Sequence, residues 1–392
     1  MLNKPPESER QLRATLAVVD LSAIRHNIRQ IRKLLPPGCA ILVVVKGNAY
    51  GLGAVQISRM LQMNSVEYLG VATLSEVEEL RAANITTPIL MLTEPFINEY
   101  VRLLELDTSL TVFSTERAHE IDIVAGSHSR NPKLHLKVDT GMGRVGCRYE
   151  EAYDVACWLA NELKYSELEG IYTHFPMADE PHDADARSFT LHQIEMMAKL
   201  REKLESTGIH VPYYHCANTG GVLNFPDSAF DMVRVGIAAY GCLPGPSSTE
   251  IELKDVLTLK TKVNYIKRVP AGTSISYGHT YTTERETTIV TLPVGYADGY
   301  PRALSNKGRV IINGRSYPLA GRVCMDMCMV DVGDDHVRIG DEAILIGGSG
   351  ENRFSLDEVA EICGTIPYEI LVRISPRVSR LHIGLEGLDQ FA

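Results

Sequence analysis

The stretch ILVVVKGNAYGLGA, residues 41–54, sets the interpretation of the whole chain. Five aliphatic residues in succession end at a single lysine, Lys46, and three glycines follow within the next seven residues. An unbroken apolar run is typical of a strand buried on both faces, as in a parallel sheet. A lysine at the end of such a strand loses part of its hydration, which lowers its pKa and makes the amine a usable nucleophile. Taken alone, the pattern also fits a core strand whose last residue simply reaches solvent.

Strand-like and helix-like segments alternate from residue 41 to residue 236, and eight such strands predict a closed parallel (β/α)8 TIM barrel of the α/β class. A doubly wound open sheet is the alternative, but the chain lacks the glycine-rich dinucleotide fingerprint of that fold. The predicted strands are residues 41–46, 67–72, 88–93, 109–113, 134–140, 169–175, 213–217 and 232–236.

The pattern changes near residue 250, where short strand-like segments are broken by Gly, Pro and Asn. This pattern predicts a separate, mostly β domain, so we assign residues 1–255 to the barrel domain and residues 256–392 to the β domain. One helix is expected in the second domain, in the segment SLDEVAEICG, with Ser355 as its N-cap and Gly364 just past its end.

Composition and charge argue against several classes of protein. Hydrophobic residues make up 45% of the 392 residues, and the net charge of −10 argues against nucleic acid or an anionic membrane surface as a partner. The N-terminal residues are polar without the apolar segment of a signal peptide, and no apolar run approaches the length of a membrane span. Eight scattered cysteines predict reduced thiols, and together these features predict a cytoplasmic protein.

Function in a barrel of this kind gathers at the C-terminal ends of the strands. The loops NTGG (218–221) and GIAAYG (236–241) follow the last two strands, where these barrels commonly bind phosphate. A phosphate ligand that also uses a lysine suggests pyridoxal 5'-phosphate, held as a Schiff base by Lys46. We expect no metal site, because His174 and His215 lack companions at ligand spacing. The polar residues at or near the strand ends are Lys46, Lys137, Asp139, Arg144, His174, His215, Asn218, Thr219 and Arg234.

Segments throughout both domains resemble the alanine racemase family and occur in the order found there. The resemblance implies a homodimeric, pyridoxal-phosphate-dependent racemase with a barrel and a β domain, whose active site is shared between subunits. It also implies that the enzyme interconverts L-alanine and D-alanine and supplies D-alanine for peptidoglycan. The matching segments are VVVKGNAYGLGA, HLKVDTGMGRVG, YTHFPMADE, HCANTGG, FDMVRVGIAAYG, SISYGHTY, VGYADGYPR, GRVCMDMCMVDVG and GTIPYEIL.

The resemblance assigns the two catalytic bases to Lys46 and Tyr277. Lys46 would carry the cofactor and act on one face of the substrate, while Tyr277 would act on the opposite face from the second subunit. His174 would hydrogen-bond Tyr277. Racemisation needs an acid and a base on opposite faces of the reacting carbon, so two different side chains agree with the chemistry.

The other roles that the resemblance implies concern the cofactor and the substrate carboxylate. Arg234 would face the pyridine nitrogen and contact His215, and Arg144 would contact the phenolic oxygen of the cofactor and the substrate carboxylate. Met325 of the second subunit would offer its backbone N–H to that carboxylate, and Lys137 would be carbamylated and would position Arg144. The phosphate would be held by Tyr50, Thr219, Gly236, Ile237 and Tyr368.

The chain departs from the family pattern next to the cofactor lysine. Family members usually read KADAYGHG or KANAYGHG, whereas this chain reads KGNAYGLG, and Asn48 leaves the substrate range open. A serine or broad-specificity racemase of the same fold therefore stays an alternative. A related decarboxylase is disfavoured by Arg234, and a non-catalytic carrier of the single-barrel type is disfavoured by the presence of the second domain.

Overall fold

A computed structural model describes residues 13–350 and 352–384. The polar N-terminal lead on which the signal-peptide prediction rests lies at residues 1–12, outside the described residues. The chain forms two compact units. One comprises Ala23–Ala49 and Gly53–Lys254, and the other comprises Tyr50–Leu52 with the residues up to Ser22 and those from Asp255 onward. No helix in the described part of the chain has the length and apolarity needed to cross a membrane.

The first unit is an eight-stranded parallel barrel within the described residues. The order around it is β2-β3-β4-β5-β6-β8-β9, with β10 paired to β2 and the short β7 paired to β6. Strand β1 (Leu16–Asp20) precedes the barrel strands in the chain and belongs to the other unit. The strands that follow are β2 (Ala40–Val44), β3 (Tyr68–Val71), β4 (Ile89–Met91), β5 (Thr108–Val112), β6 (Lys133–Asp139), β7 (Cys147–Arg148), β8 (Glu167–Tyr172), β9 (Tyr213–His215) and β10 (Met232–Val235).

Two backbone hydrogen bonds join β10 to the β9 side of the barrel. The N–H of Asp231 donates to the carbonyl of Tyr214 at 3.0 Å, and the N–H of Arg234 donates to the carbonyl of Ala217 at 2.9 Å. Strands β2 to β5 are buried at every residue, as the unbroken apolar runs predict. The predicted (β/α)8 barrel is therefore confirmed.

Helices connect the strands of the barrel unit. Asp20 caps the first helix, because its Oδ1 accepts a hydrogen bond from the N–H of Ser22 at 2.8 Å. Several predicted strands end early, because residues such as Lys46 and Phe175 leave the sheet and enter the loops at its C-terminal edge. The helices are Leu21–Arg32, Ala54–Met63, Leu74–Ala82, Tyr100–Glu105, Thr115–Ser127, Tyr149–Glu162, Ala184–Ser206 and Thr219–Asn224.

The second unit is mostly β, as predicted. One sheet has the order β17-β16-β19-β11-β1-β21 with β20 paired to β19, a second has the order β12-β15-β18, and β13 pairs with β14. Its remaining strands are β11 (Leu257–Lys262), β12 (Tyr265–Val269), β13 (Ser274–Ile275), β14 (Tyr281–Thr282), β15 (Thr287–Leu292), β16 (Arg309–Ile312), β17 (Arg315–Pro318), β18 (Cys328–Gly333), β19 (Glu342–Ser349), β20 (Asn352–Phe354) and β21 (Ser379–Ile383).

Strand β1 belongs to the β unit, whereas the sequence predicted that residues 1–255 form the barrel domain. It pairs antiparallel with β11 and parallel with β21. Its alternate residues Ala17 and Val19 are fully buried, so one face of β1 packs into the core of this unit. Adjacency along the chain does not fix which sheet such a strand joins, because pairing depends on distant partners.

Two helices occur in the described part of the second unit. Leu356–Cys363 confirms the predicted helix, because Ser355 forms a capping box with Glu358 and Gly364 ends the helix with φ 66°. The second helix, Pro367–Arg373, was not expected from the sequence. Proline at its first turn is favourable there, yet a segment this short carries too little periodicity to be recognised.

Candidate active site

Lys46 follows β2 and begins a left-handed helical turn. The φ angles are 63° at Gly47, 56° at Asn48, 51° at Ala49 and 55° at Tyr50. Left-handed helical backbone costs non-glycine residues about 1–2 kcal/mol each, so surrounding contacts must hold this turn in place. The turn bends the chain away from the barrel strand directly after the lysine.

Glu76 and Asn48 supply contacts that hold the left-handed turn. One oxygen of Glu76 accepts the N–H of Gly47 at 2.6 Å, and its other oxygen accepts the N–H of Ala72 at 2.7 Å. Oδ1 of Asn48 accepts the N–H of Ala54 at 2.8 Å, at the start of the next helix. Asn48, a departure from one common family pattern, therefore has a structural role in this chain.

Positively charged groups converge at the C-terminal mouth of the barrel. Partial loss of hydration and then the charge of Arg144 lower the pKa of Lys46, while Glu76 opposes that shift. Burial, followed by the charges of Arg234 and Arg144, lowers the pKa of Lys137 to about 8. Lys137 is only 4% exposed, whereas Lys46 and Arg144 are exposed. Such a cluster is suited to an anionic ligand.

Arg234 is fixed in the barrel by acceptors at the C-terminal ends of two strands, β8 and β9. Its Nη1 donates to Nδ1 of His215 at 3.1 Å and also to the His215 carbonyl. Its Nη2 donates to the carbonyls of Thr173 at 2.5 Å and Cys216 at 3.1 Å, and lies 3.4 Å from Nδ1 of His174. Within the described residues, these bonds engage both terminal nitrogens of the guanidinium.

The two site histidines are electrically neutral near pH 7. Burial and then the charges of Arg234 and Arg144 lower the pKa of His174 to about 2. Burial and the charge of Arg234 also lower the pKa of His215 well below its ordinary value. In the contacts between Arg234 and these two imidazoles, the guanidinium is therefore the charged partner.

The residues predicted to hold a phosphate fall into two groups. In the barrel unit, Oγ1 of Thr219 accepts the N–H of Gly236 at 3.2 Å, and Ile237 begins the short turn that follows. In the β unit, the ring centroids of Tyr50 and Tyr368 lie 5.7 Å apart at a tilt of 50°. Each unit therefore brings together its own members of the predicted set.

Tyr277 and Met325 lie on adjacent loops of the β unit, and their exposed fractions are 71% and 53%. Ser276, directly before Tyr277, has φ 66° and ψ −176°, and its Oγ donates to the carbonyl of Arg322 at 2.7 Å. The same Oγ lies 3.6 Å from Sγ of Cys324, directly before Met325. The carbonyl of Met325 accepts the N–H of Ala297 at 3.0 Å, which fixes the peptide on that side.

Tyr172, which was not identified from the sequence, contacts several of these residues. Tyr172 stacks on His215 with ring centroids 4.6 Å apart and an interplanar angle of 13°. The guanidinium carbon of Arg234 lies 5.0 Å from the Tyr172 ring centre, and Nζ of Lys137 lies 5.5 Å from it. Tyr172 ends strand β8, and a hydroxyl-bearing residue at the C-terminal end of a barrel strand was the available signal.

A second group missed from the sequence lies deeper in the barrel. His135, two residues before Lys137 on β6, is fully buried and bonded to His215 and to Glu169. The period of two along a strand puts His135 and Lys137 on the same face, so the spacing could have indicated this group. Among residues 13–350 and 352–384, no group of three or more His, Cys, Asp or Glu side chains is placed to hold a metal ion.

Comparisons with known proteins match both units. Residues 19–244 match the family model of the alanine racemase N-terminal domain, and residues 256–382 match that of the C-terminal domain. The alanine racemase of Desulforamulus reducens is 42% identical over 371 residues, which cover 94% of this chain and 98% of that protein.

Solved structures agree in fold over nearly the whole chain. Alanine racemase from Clostridium difficile has a TM-score of 0.88 at 37% identity, covering 94% of this chain and 96% of that one. Alanine racemase from Bacillus anthracis with bound L-Ala-P has a TM-score of 0.85 at 38% identity, covering 95% of each chain.

Proposed function

The chain belongs to the alanine racemase family of isomerases, and from this membership we propose that it interconverts L-alanine and D-alanine with pyridoxal phosphate as cofactor. The observation that carries the proposal is the grouping of Lys46, Lys137, Arg144 and Arg234 at one mouth of the barrel. We further propose that the D-alanine serves peptidoglycan and that the enzyme is a cytoplasmic homodimer.

The residues present fit pyridoxal phosphate. Lys46 offers a primary amine of lowered pKa to an aldehyde. Arg234, with both terminal nitrogens bound to protein, keeps its Nε–H as the donor for a ring nitrogen. Thr219 and Gly236 would hold the phosphate together with Ile237, Tyr50 and Tyr368.

Pyridoxal phosphate, when bound, supplies the electron sink that makes the Cα–H bond of an amino acid acidic enough for a side-chain base. Lys46 would take or return the proton on one face of Cα, and its lowered pKa increases the unprotonated fraction that this role needs. Arg144 would bind the substrate carboxylate, since a guanidinium pairs well with a carboxylate.

Tyr277 would be the second base, reaching the opposite face of Cα from the partner subunit. Its 71% exposure in the single chain leaves its phenol free to meet another subunit. His174, neutral because burial and then the cations around it lower its pKa, would accept the Tyr277 hydrogen bond. The backbone N–H of Met325 would bind the substrate carboxylate from the same partner loop region.

Arg234 would set the chemical outcome. A guanidinium does not release its proton in a protein, so Arg234 would leave the ring nitrogen unprotonated. Arg234 would thereby weaken the electron sink that the cofactor supplies, which would favour return of the proton to Cα over side reactions such as transamination. A carboxylate in this place would instead suit a transaminase or a decarboxylase.

The test is to incubate the purified protein with each L-amino acid and to separate the enantiomers on a chiral column. We expect D-alanine from L-alanine, and near-complete loss of it in Lys46→Ala and in Tyr277→Phe. Tyr265→Phe, which removes an exposed hydroxyl elsewhere in the β unit, is the matched control and should keep full activity. Comparable turnover of serine or of several amino acids would favour the broad-specificity alternative, and no turnover of any would refute the proposal.

The cofactor site has its own test. Borohydride reduction of the holoenzyme followed by peptide mapping should find the pyridoxyl label on Lys46. A label on any other lysine would refute the assignment of Lys46, whatever the substrate proves to be.

A further inference from the structure

Four buried side chains form a continuous hydrogen-bonded chain through the interior of the barrel. Arg234 Nη1 lies 3.1 Å from His215 Nδ1, and His215 Nε2 lies 2.9 Å from His135 Nδ1. His135 Nε2 in turn lies 2.9 Å from Oε2 of Glu169. All four residues are 4% exposed or less. The chain therefore connects the guanidinium at the active site to a carboxylate deep in the barrel.

The two ends of this chain fix the hydrogens in its middle. Arg234 can only donate, so Nδ1 of His215 must accept and its Nε2 must carry the proton. That proton is donated to Nδ1 of His135, which leaves the His135 proton on Nε2. Glu169, as a carboxylate, accepts it. Both imidazoles are then neutral Nε2–H tautomers, and every donor points away from Arg234 toward Glu169.

A protonated His135 is incompatible with this geometry. An imidazolium would donate through Nδ1 to Nε2 of His215, which would move the His215 proton to Nδ1. That proton would face the N–H of Arg234 across 3.1 Å, and two donors would oppose each other in a buried site. The burial of His215, which lowers its pKa well below its ordinary value, supports the neutral assignment.

Glu169 is held as an anion by groups near the N-terminal end of the barrel. Nζ of Lys133 lies 2.6 Å from its Oε1, and the hydroxyl of Tyr68 donates to its Oε2 at 2.7 Å. Burial by itself would raise the pKa of Glu169, but the hydrogen bonds from His135, Lys133 and Tyr68 outweigh it and lower the pKa. A buried carboxylate needs such partners, because losing its hydration costs several kcal/mol.

Local backbone features make room for the chain. The register of β6 against β8 shifts between Leu134 and His135, so that Glu169 is the extra residue of a bulge. At Gly170 an added Cβ would lie 2.2 Å from Nδ1 of His135, on the side of its bond to His215. Glycine at this position is therefore required for the His135 ring to lie where it does.

We propose that Glu169 and His135 are positioning residues for the racemase: they fix the tautomer of His215 and thereby hold Arg234 in a single orientation at the active site. Neither touches the reacting atoms. Glu169 supplies the anionic end that polarises both imidazoles, and loss of that end leaves Arg234 alone to hold the His215 proton on Nε2. The inference deepens the proposed function and rests on it for the role of Arg234.

Histidine-selective 15N NMR of the holoenzyme reports which nitrogen of each ring carries a proton. We expect neutral Nε2–H tautomers at His135 and His215 in the wild type, with the signals assigned by their loss in His135→Asn and His215→Asn. Glu169→Leu should lose this fixed pattern, whereas Glu169→Gln, which can still accept from His135, should keep it. Glu167→Gln removes an exposed carboxylate from the same strand and should leave the pattern and the activity unchanged.

Turnover provides a second readout. Glu169→Leu should lower kcat about tenfold or more with little change in KM, the size of effect typical of residues that orient a functional group from outside the site. Should Glu169→Leu not fold, Gly170→Ala displaces the His135 ring while keeping every polar group, and it should show the same loss of the His215 pattern.

The proposal is overturned if Glu169→Leu and Gly170→Ala keep both tautomers, or if the tautomers change while kcat stays at the wild-type value. If kcat and the melting temperature both fall while the tautomers stay intact, the role of Glu169 is structural, and that result also overturns the proposal. These outcomes are separate from the failure of the proposed function, which would appear as a wild-type protein with the expected tautomers that racemises no amino acid.

Discussion

Nζ of Lys137 lies 5.5 Å from the centre of the Tyr172 ring, on a side chain that is 4% exposed. Two arginines, the buried Arg234 and the exposed Arg144, act on this nitrogen through their charges. Burial, then the charges of Arg234 and Arg144, lowers the pKa of Lys137 to about 8, although Asp139 opposes the shift. The uncharged fraction of this amine near neutral pH is therefore larger than that of an ordinary lysine, and an uncharged amine is the form that reacts with carbon dioxide.

We predict that Lys137 is carbamylated. Its amine nitrogen bonds to the carbon of carbon dioxide and releases a proton to water, so a cation becomes an anion beside Arg144 and can accept its hydrogen bonds. Protein equilibrated with 13C-bicarbonate should give a carbamate signal that disappears in Lys137→Ala. That variant should lose activity and regain part of it with added small carboxylates.

Lys164→Ala, which removes an exposed lysine, is the control and should retain the carbamate signal. A fully active wild-type protein without any carbamate signal would contradict the prediction.

Glu169 should make the free energy of unfolding depend on pH in the acidic range. Its folded-state pKa is depressed below an ordinary value of 4.5 by the hydrogen bonds from His135, Lys133 and Tyr68. A depressed carboxyl pKa stabilises the folded state above the ordinary value, and this contribution is lost as the pH falls below about 4.5.

Urea unfolding of the wild type and Glu169→Gln, followed from pH 6 downward, checks this prediction. The wild type should lose stability faster than the variant below about pH 4.5. Parallel pH profiles of the two proteins would show that Glu169 titrates normally and that the bonds around it are weaker than the structure indicates.

The barrel could be predicted from the sequence because eight strand-like segments alternate with helix-like ones. The run before Lys46 is unbroken and apolar, as expected of a strand buried on both faces, and polar residues at the strand ends indicated the candidate site. The left-handed turn after Lys46 could not be predicted, because Asn48 and Ala49 adopt positive φ only with Glu76 and neighbouring backbone holding them.

The other features that could not be predicted from the sequence depend on contacts between distant segments of the chain. Glu169 lies 34 residues from its partner His135, and His135 lies 80 residues from His215. A single sequence shows each of them only as a polar residue within a predicted strand. The pairing of β1 with β11 and β21 is likewise a long-range choice that local pattern does not encode.

At position 276 we expect the glycine variant to be more stable than the alanine variant, which is the reverse of the usual order. The φ of 66° with ψ of −176° at Ser276 lies in a region used almost only by glycine, where another residue costs about 1–3 kcal/mol. Ser276→Ala and Ser276→Gly both lose the hydroxyl bond to Arg322, so their difference isolates the backbone.

At an unstrained position the alanine variant would be more stable by about 0.5–1 kcal/mol, because glycine loses more chain entropy on folding. Here we expect the glycine variant to be more stable, by about 1 kcal/mol, in urea unfolding. An alanine variant equal to or more stable than the glycine variant would show that Ser276 is not strained.

Mixing two inactive variants tests whether the active site is completed by a partner subunit. Lys46→Ala and Tyr277→Phe each remove one of the two proposed bases, so each protein alone should be nearly inactive. In a mixed dimer with shared sites, one site carries both defects and the other carries neither. Equal amounts reassorting at random make about half the dimers mixed, so activity should return to about a quarter of the wild-type value.

The exposed positions of Tyr277 and Met325 in the single chain motivate this experiment. If each chain instead built its own site, every site in the mixture would lack one base, and no ratio of the two variants would restore turnover. Subunit exchange is verified with two affinity tags, and each variant reassorted with itself serves as the control. Continued inactivity of a purified, doubly tagged dimer would refute the shared site while leaving Lys46 and Tyr277 as the two bases.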